Sequence, residues 1–236
     1  MTALPSVSTS GLVVELCGLP GSGKTTLAHE VVARLRATGG SARVVDRRVS
    51  AAVPPWVRVP RKAGLVAGAL ARAPVRAVGD ARLLGGRQPD RRDRLAVPVQ
   101  WLLAGRLVGE ARRTRGTAVL EEGLVQALWT AALRARTPLD GGTLARVASR
   151  VPRAHVVVHL DVPVDLALSR LRGRSSRHSR VQRQQAEGQL ALLEHGDLLL
   201  RELLGAWSAA GLGEVLLVDG AAPDVAGELL GRLPVR

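Results

Sequence analysis

The sequence predicts an α/β fold with a parallel sheet covered by helices on both faces. Three observations lead there. Short, continuous apolar runs recur along the 236 residues, as buried strands require. Stretches with apolar residues at helical spacing lie between them. The first apolar run passes directly into G-L-P-G-S-G-K-T, residues 18–25, a glycine-rich turn that opens a helix.

The elements follow in order. Residues 1–10 read as a loose N-terminus. Gly11 to Cys17 is the first strand, and Thr25 to Thr38 the first helix, with Leu27, Val31, Val32 and Leu35 on one face and Gly39 and Gly40 as its stop. "SARVVDRRV" is a second strand ending at Asp46, and "GTAVLEEG" a third ending at Glu121 and Glu122. "RAHVVVHLDVP" ends a fourth at Asp161, and "GEVLLVDG" a fifth at Asp219. The stretch 49–115 is rich in Arg and Ala and punctuated by proline, and reads as a helical insertion within the same domain. Its longest helix lies around residues 90–116, with Pro98 expected to kink or break it. Further helices are expected near 123–136, 140–150, 164–173 and 181–211, giving one domain over residues 1–236.

Composition sets limits on function. The hydrophobic content of 46% supports a real core, and no uncharged apolar stretch is long enough for a membrane span. The N-terminus lacks the basic-then-apolar pattern of a secretory signal, and the single cysteine, Cys17, allows no internal disulfide. A cytoplasmic setting is expected. The formal net charge of +14 would suit nucleic acid. Yet the chain has no Phe, Tyr, Ile or Asn, and only two lysines, Lys24 and Lys62. That bias toward Arg, Ala, Gly, Leu and Val is the signature of GC-rich coding, so part of the basicity is compositional.

The loop carries the chemistry. Its glycines let the backbone close around phosphate oxygens, and the following helix offers unpaired N–H groups and a positive dipole end. Gly18, Pro20, Gly21, Ser22, Gly23, Lys24, Thr25 and Thr26 are the expected nucleotide-binding residues, with Lys24 on the β and γ phosphates and the Thr25 hydroxyl on Mg²⁺. Mg²⁺ also wants a carboxylate at the C-terminal end of a neighbouring strand, and Glu121 fits, with Glu122 behind it. The competing reading of both is an acidic helix N-terminus in solvent. His155 and His159 alternate on one strand face and are expected to be core, since no second ligand pair has metal-binding spacing. Trp56, Trp101 and Trp129 could each stack on a planar substrate, or be core.

Several phosphate-loop classes drop out. A regulatory GTPase needs an Asn-Lys-x-Asp guanine reader, and this chain has no asparagine. No LSGGQ-like transporter signature is present. The later half, "VVVHLDVPVDLALSRLRGRSSRHSR" and then "LLVDGAAPDVAGELL", is similar to thymidylate kinases and their nucleoside-kinase relatives. The shared features are an L-D-x-P strand end, an A-L-x-R helix, an arginine-rich lid and a last strand ending in V-D-x. "LLAGRLVGEARRTRGTAVLEEG" resembles that family's arginine-bearing helix and third strand. The resemblance implies a P-loop NTPase three-layer sandwich with strand order 2-3-1-4-5. It implies a lid over 170–182 carrying Arg170, Arg172, Arg174, Arg177 and Arg180, and an adenine contact at Gly220 and Ala221. Independently, Arg170, Arg174 and Arg177 share one helical face, and guanidinium groups stabilise a moving phosphoryl group. Arg170, Arg174 and Arg177 are therefore expected to act in catalysis, and Arg172 at the nucleotide.

The acceptor side is expected from the insertion and from Asp46. By the resemblance, Asp46 stands where relatives carry an acid beside the acceptor hydroxyl. The alternative is a surface aspartate paired with Arg47 or Arg48. The family follows its third strand with Asp-Arg-Tyr or Glu-Arg-Ser, whereas this chain has Glu121-Glu122-Gly123. The missing arginine and the extra charge of Glu122 favour a neutral hydroxyl acceptor over thymidylate, with Arg106 and Trp56 as further acceptor contacts. The expectation is an ATP- and Mg²⁺-dependent phosphotransferase acting on a small molecule, with a homodimer open. A nucleotide-gated regulatory ATPase and a polynucleotide 5′-end kinase, each using the basic surface for nucleic acid, are the alternatives.

Overall fold

The computed structural model describes residues 11–45, 64, 67–68, 71, 74–173 and 186–234. Asp46, Trp56, Arg174, Arg177 and Arg180, the N-terminal ten residues and most of the expected lid lie outside the described residues.

Strands β1 (Val13–Cys17), β2 (Ala42–Val45), β3 (Thr117–Leu120), β4 (Val156–Asp161) and β5 (Glu214–Asp219) form a five-stranded sheet in the order β2-β3-β1-β4-β5. Every pairing is parallel, as expected. The central strand β1 is buried at all five positions, which is why it reads as an unbroken apolar run apart from Glu15. The edge strand β5 instead alternates between buried and exposed positions.

Helix α1 (Lys24–Ala37) leaves the loop and packs on β1, β2 and β3. It ends in paired hydrogen bonds from Gly40 N–H to Leu35 O at 2.9 Å and from Gly39 N–H to Arg36 O at 3.0 Å, the Schellman arrangement. Within the insertion lie α2 (Pro74–Gly85) and α3 (Arg91–Ala111). Helix α3 runs on through Pro98, and Asp90 caps it by accepting from Asp93 N–H at 2.7 Å. Helices α4 (Leu124–Arg134), α5 (Gly141–Ala148), α6 (Val164–Arg172) and α7 (Ala186–Ala209) follow. Helix α8 (Val225–Arg232) goes beyond the sequence expectation. It is too short for its periodicity to stand out, and its start is set by Asp224, which accepts from Gly227 N–H at 3.0 Å.

Helices α1 and α8 pack together on one face of the sheet, while α3, α4 and α7 build the other. Trp101, Trp129 and Trp207 are buried in the core. The indole N–H of Trp101 donates to Asp80 Oδ2 at 3.2 Å, and that of Trp129 to Gly196 O at 2.6 Å, so Trp101 and Trp129 are core residues. Among the described residues, no helix is long and apolar enough to cross a membrane.

Candidate functional site

The C-terminal edge of the sheet gathers several of the residues singled out by the sequence. The loop 18–23 leaves β1 there and runs into α1. Gly21 has φ +93°, and a Cβ on it would sit 2.2 Å from Ala167 O on α6, so only glycine lets the loop pass this close. Ser22 is buried, and its backbone N–H donates to Leu19 O at 3.1 Å to close the turn. The Lys24 ammonium folds back over the loop, donating to Gly18 O and Leu19 O at 2.9 Å each and to Ser22 Oγ at 3.4 Å. Thr26 follows on the exposed side of the first turn of α1.

Thr25 and Glu121 are 96 residues apart in sequence, yet the Thr25 hydroxyl donates to Glu121 Oε2 at 2.8 Å. Glu121 is 7% exposed and directly follows β3, which pairs beside β1. On its other oxygen, Oε1 lies 3.7 Å from His29 Nε2, one helical turn beyond Thr25. A hydroxyl and a buried carboxylate meeting at the head of a helix form an all-oxygen pair suited to a hard cation. These two oxygens are the donors that a Mg²⁺ ion at this position would use.

Arg170 joins the loop to the end of β5. Its Nη1 donates to Ser22 O at 3.5 Å and to Gly220 O at 3.4 Å. Gly220 N–H donates to Asp161 O at 2.6 Å, and Ala221 N–H to Asp219 Oδ1 at 2.8 Å, folding the chain after β5 toward the loop. Gly220, with Ala221 beside it, is therefore linked to the glycine-rich loop through Arg170. Arg172 points elsewhere, with its Nε donating to Gln189 Oε1 on α7 at 3.3 Å. Arg106 is engaged by Glu110, one turn along α3 at 2.5 Å, and among the described residues no contact joins it to the loop. Glu122 adjoins Glu121 and is half-buried.

Two residues that support the site, Glu15 and Gln126, escaped sequence reading. Glu15, fully buried on β1, accepts from Val125 N–H at 2.7 Å and from Gln126 N–H at 3.3 Å, so it caps α4 from the neighbouring strand. Gln126 Oε1 in turn accepts from Gly18 N–H at 3.3 Å. The loop, β1 and the segment bearing Glu121 and Glu122 are thus tied together. This also accounts for Gly123, because a Cβ there would lie 2.4 Å from the Glu15 carboxyl carbon. The only sequence signal was a lone acid inside an apolar strand, which calls for a buried partner without naming it.

Cys17 lies buried beside this network, and burial, reinforced by Glu15, pushes its thiol far above the usual range. His155 Nδ1 accepts from Val13 N–H at 2.9 Å at the opposite end of β1. Desolvation, with Arg112 adding to it, lowers the His155 pKa and keeps the ring neutral. No protein-family model and no curated protein matches this chain.

Proposed function

We propose that the chain is a Mg²⁺-dependent phosphotransferase that moves the γ-phosphoryl group of ATP to a hydroxyl of a small molecule. The observation that carries this reading is the 2.8 Å contact between Thr25 and Glu121 beside Lys24. A loop that binds phosphate needs only glycines and a helix end, whereas a loop with a metal-binding hydroxyl and a buried acid is equipped to ready a metal-bound nucleotide for attack at the γ phosphorus. Mg²⁺, when bound by Thr25 and Glu121, would neutralise charge on the phosphates.

The rest falls to the chain. Backbone N–H groups of the loop and the N-terminus of α1 bind the β and γ phosphates. Lys24 exchanges its loop carbonyls for phosphate oxygens. Arg170, poised between Ser22 and Gly220, orients the nucleotide and stabilises negative charge on the moving group. The acceptor oxygen forms a bond to the γ phosphorus as the bond to the β-bridging oxygen breaks. ADP leaves, and the hydroxyl proton passes to Asp46 or to water. Glu122 disfavours an acceptor that already carries phosphate, which supports a neutral hydroxyl compound.

The test is transfer from γ-labelled ATP across nucleosides, nucleotides, sugars and hydroxylated metabolites, with Lys24→Ala as the control. We expect one acceptor class to be labelled and Lys24→Ala to be inactive while folded. Full activity in Lys24→Ala would overturn the assignment. Labelling of oligonucleotide 5′ ends alone, or hydrolysis with salt-sensitive nucleic-acid binding and no acceptor, would replace it with a reading built on the net charge of +14.

A further inference from the structure

A second cluster lies at the end of β4. His159 is only 3% exposed and shares a sheet face with Cys17, its register partner on β1. Among the described residues, no hydrogen bond or ion pair engages its imidazole. Asp161, two residues on, and Asp197, from α7, complete a group whose ligand atoms all lie within 4.8 Å of one another. Arg201 holds both acids. Its Nη2 donates to Asp161 Oδ1 at 2.8 Å and its Nε to Asp197 Oδ2 at 2.9 Å. The guanidinium is half-exposed and engages one oxygen of each carboxylate.

We propose that His159, Asp161 and Asp197 form a divalent-cation site distinct from Thr25 and Glu121, taking a borderline metal such as Zn²⁺, Mn²⁺ or Co²⁺. Arg201 alone does not account for the cluster, because the imidazole of a residue only 3% exposed offers a nitrogen within 4.8 Å of both carboxylates and is engaged by neither. One nitrogen with two carboxylate oxygens is a donor set for borderline ions, while Mg²⁺ prefers oxygen alone. Metal–ligand bonds of about 2.0–2.2 Å put ligand atoms roughly 3–3.5 Å apart, so side-chain rotations of about 1 Å close the site. Arg201 then stays as the outer partner that orients both acids. The cluster's formal charge, two carboxylates against one guanidinium, is favourable for a cation. The bound ion would pin α7 to β4.

The probe is Co²⁺ added to the nucleotide-free chain after chelator treatment, read by its visible d–d absorption, with Zn²⁺ competition and Zn²⁺-induced thermal shift alongside. We expect a single Co²⁺ site displaced by Zn²⁺ and at least 100-fold weaker for Mg²⁺. His159→Ala and Asp197→Asn should each weaken it at least tenfold, and Glu121→Gln should leave it intact. Asp197→Asn lies on the outer helix, so it serves if His159→Ala fails to fold. Absence of the bands overturns the proposal. So does their persistence in Asp197→Asn, which marks binding at the other histidines, or their loss in Glu121→Gln, which assigns the ion to the phosphate loop. No transfer activity enters the readout, so this site and the phosphotransferase reading stand or fall separately.

Discussion

Gly123→Ala tests the link between β1 and the segment that carries Glu121. The new Cβ would lie 2.4 Å from Glu15 Cδ, 2.5 Å from its Oε2 and 2.8 Å from its Cγ. Glu15 is fully buried, so its carboxyl has no open space to enter, and moving it breaks the bonds to Val125 and Gln126 N–H at 2.7 and 3.3 Å. Overpacking costs about 1–3 kcal/mol, and each buried N–H left unpaired about 1–3 kcal/mol. Partial relaxation shares these costs, so we expect a net loss of about 2–4 kcal/mol. Urea unfolding measures it, as a lower midpoint at unchanged slope. A double-mutant cycle isolates the cause. Glu15→Ala alone forfeits the cap, but in that background Gly123→Ala has nothing to strike and should cost less than about 1 kcal/mol. Equal costs of Gly123→Ala in both backgrounds would refute the contact as its reason for being glycine.

Glu121→Gln should raise the Mg²⁺ requirement of ATP-dependent transfer by about one to two orders of magnitude with little change in Tm, because an amide still accepts from Thr25 but carries no charge. Unchanged Mg²⁺ dependence would remove Glu121 from the metal site. His155 sets a pH window. Its folded pKa lies below the ordinary 6.5, so its contribution is complete above that value. As pH falls through 6.5 the unfolded chain takes up the proton first, and stability drops until the depressed folded pKa is passed. His155→Gln should make the fall in Tm between pH 7.5 and 5 shallower, and an identical fall would contradict this. Cys17 should resist thiol reagents in the native state and react fully on unfolding, because burial raises its pKa and blocks access. Rapid labelling of the folded protein would show that the strand opens.

Much of the fold was legible because its signals are local. Apolar runs at β1 and β4, the Gly39–Gly40 stop of α1 and the G-x-x-x-x-G-K-T loop each depend on residues a few positions apart. Pro98 does not break α3, which runs on through it. Helix α8 was missed because eight residues hold too little periodicity. Arg106 and Arg172, expected from the resemblance, instead donate to Glu110 and Gln189.

By itself, the sequence determined that this protein has a glycine-rich turn, G-x-x-x-x-G-K-T, between a buried strand and a helix, and that acids stand at the strand ends. Local backbone preferences and apolar periodicity are enough for that. Only the tertiary structure decided which acid meets Thr25, that Glu15 rather than a local residue caps α4, and that Asp197 joins His159 and Asp161. The reason is physical. Parallel strands pair across long crossovers, so residues 36 to 110 positions apart become neighbours through sheet register and helix packing, which no window of sequence contains.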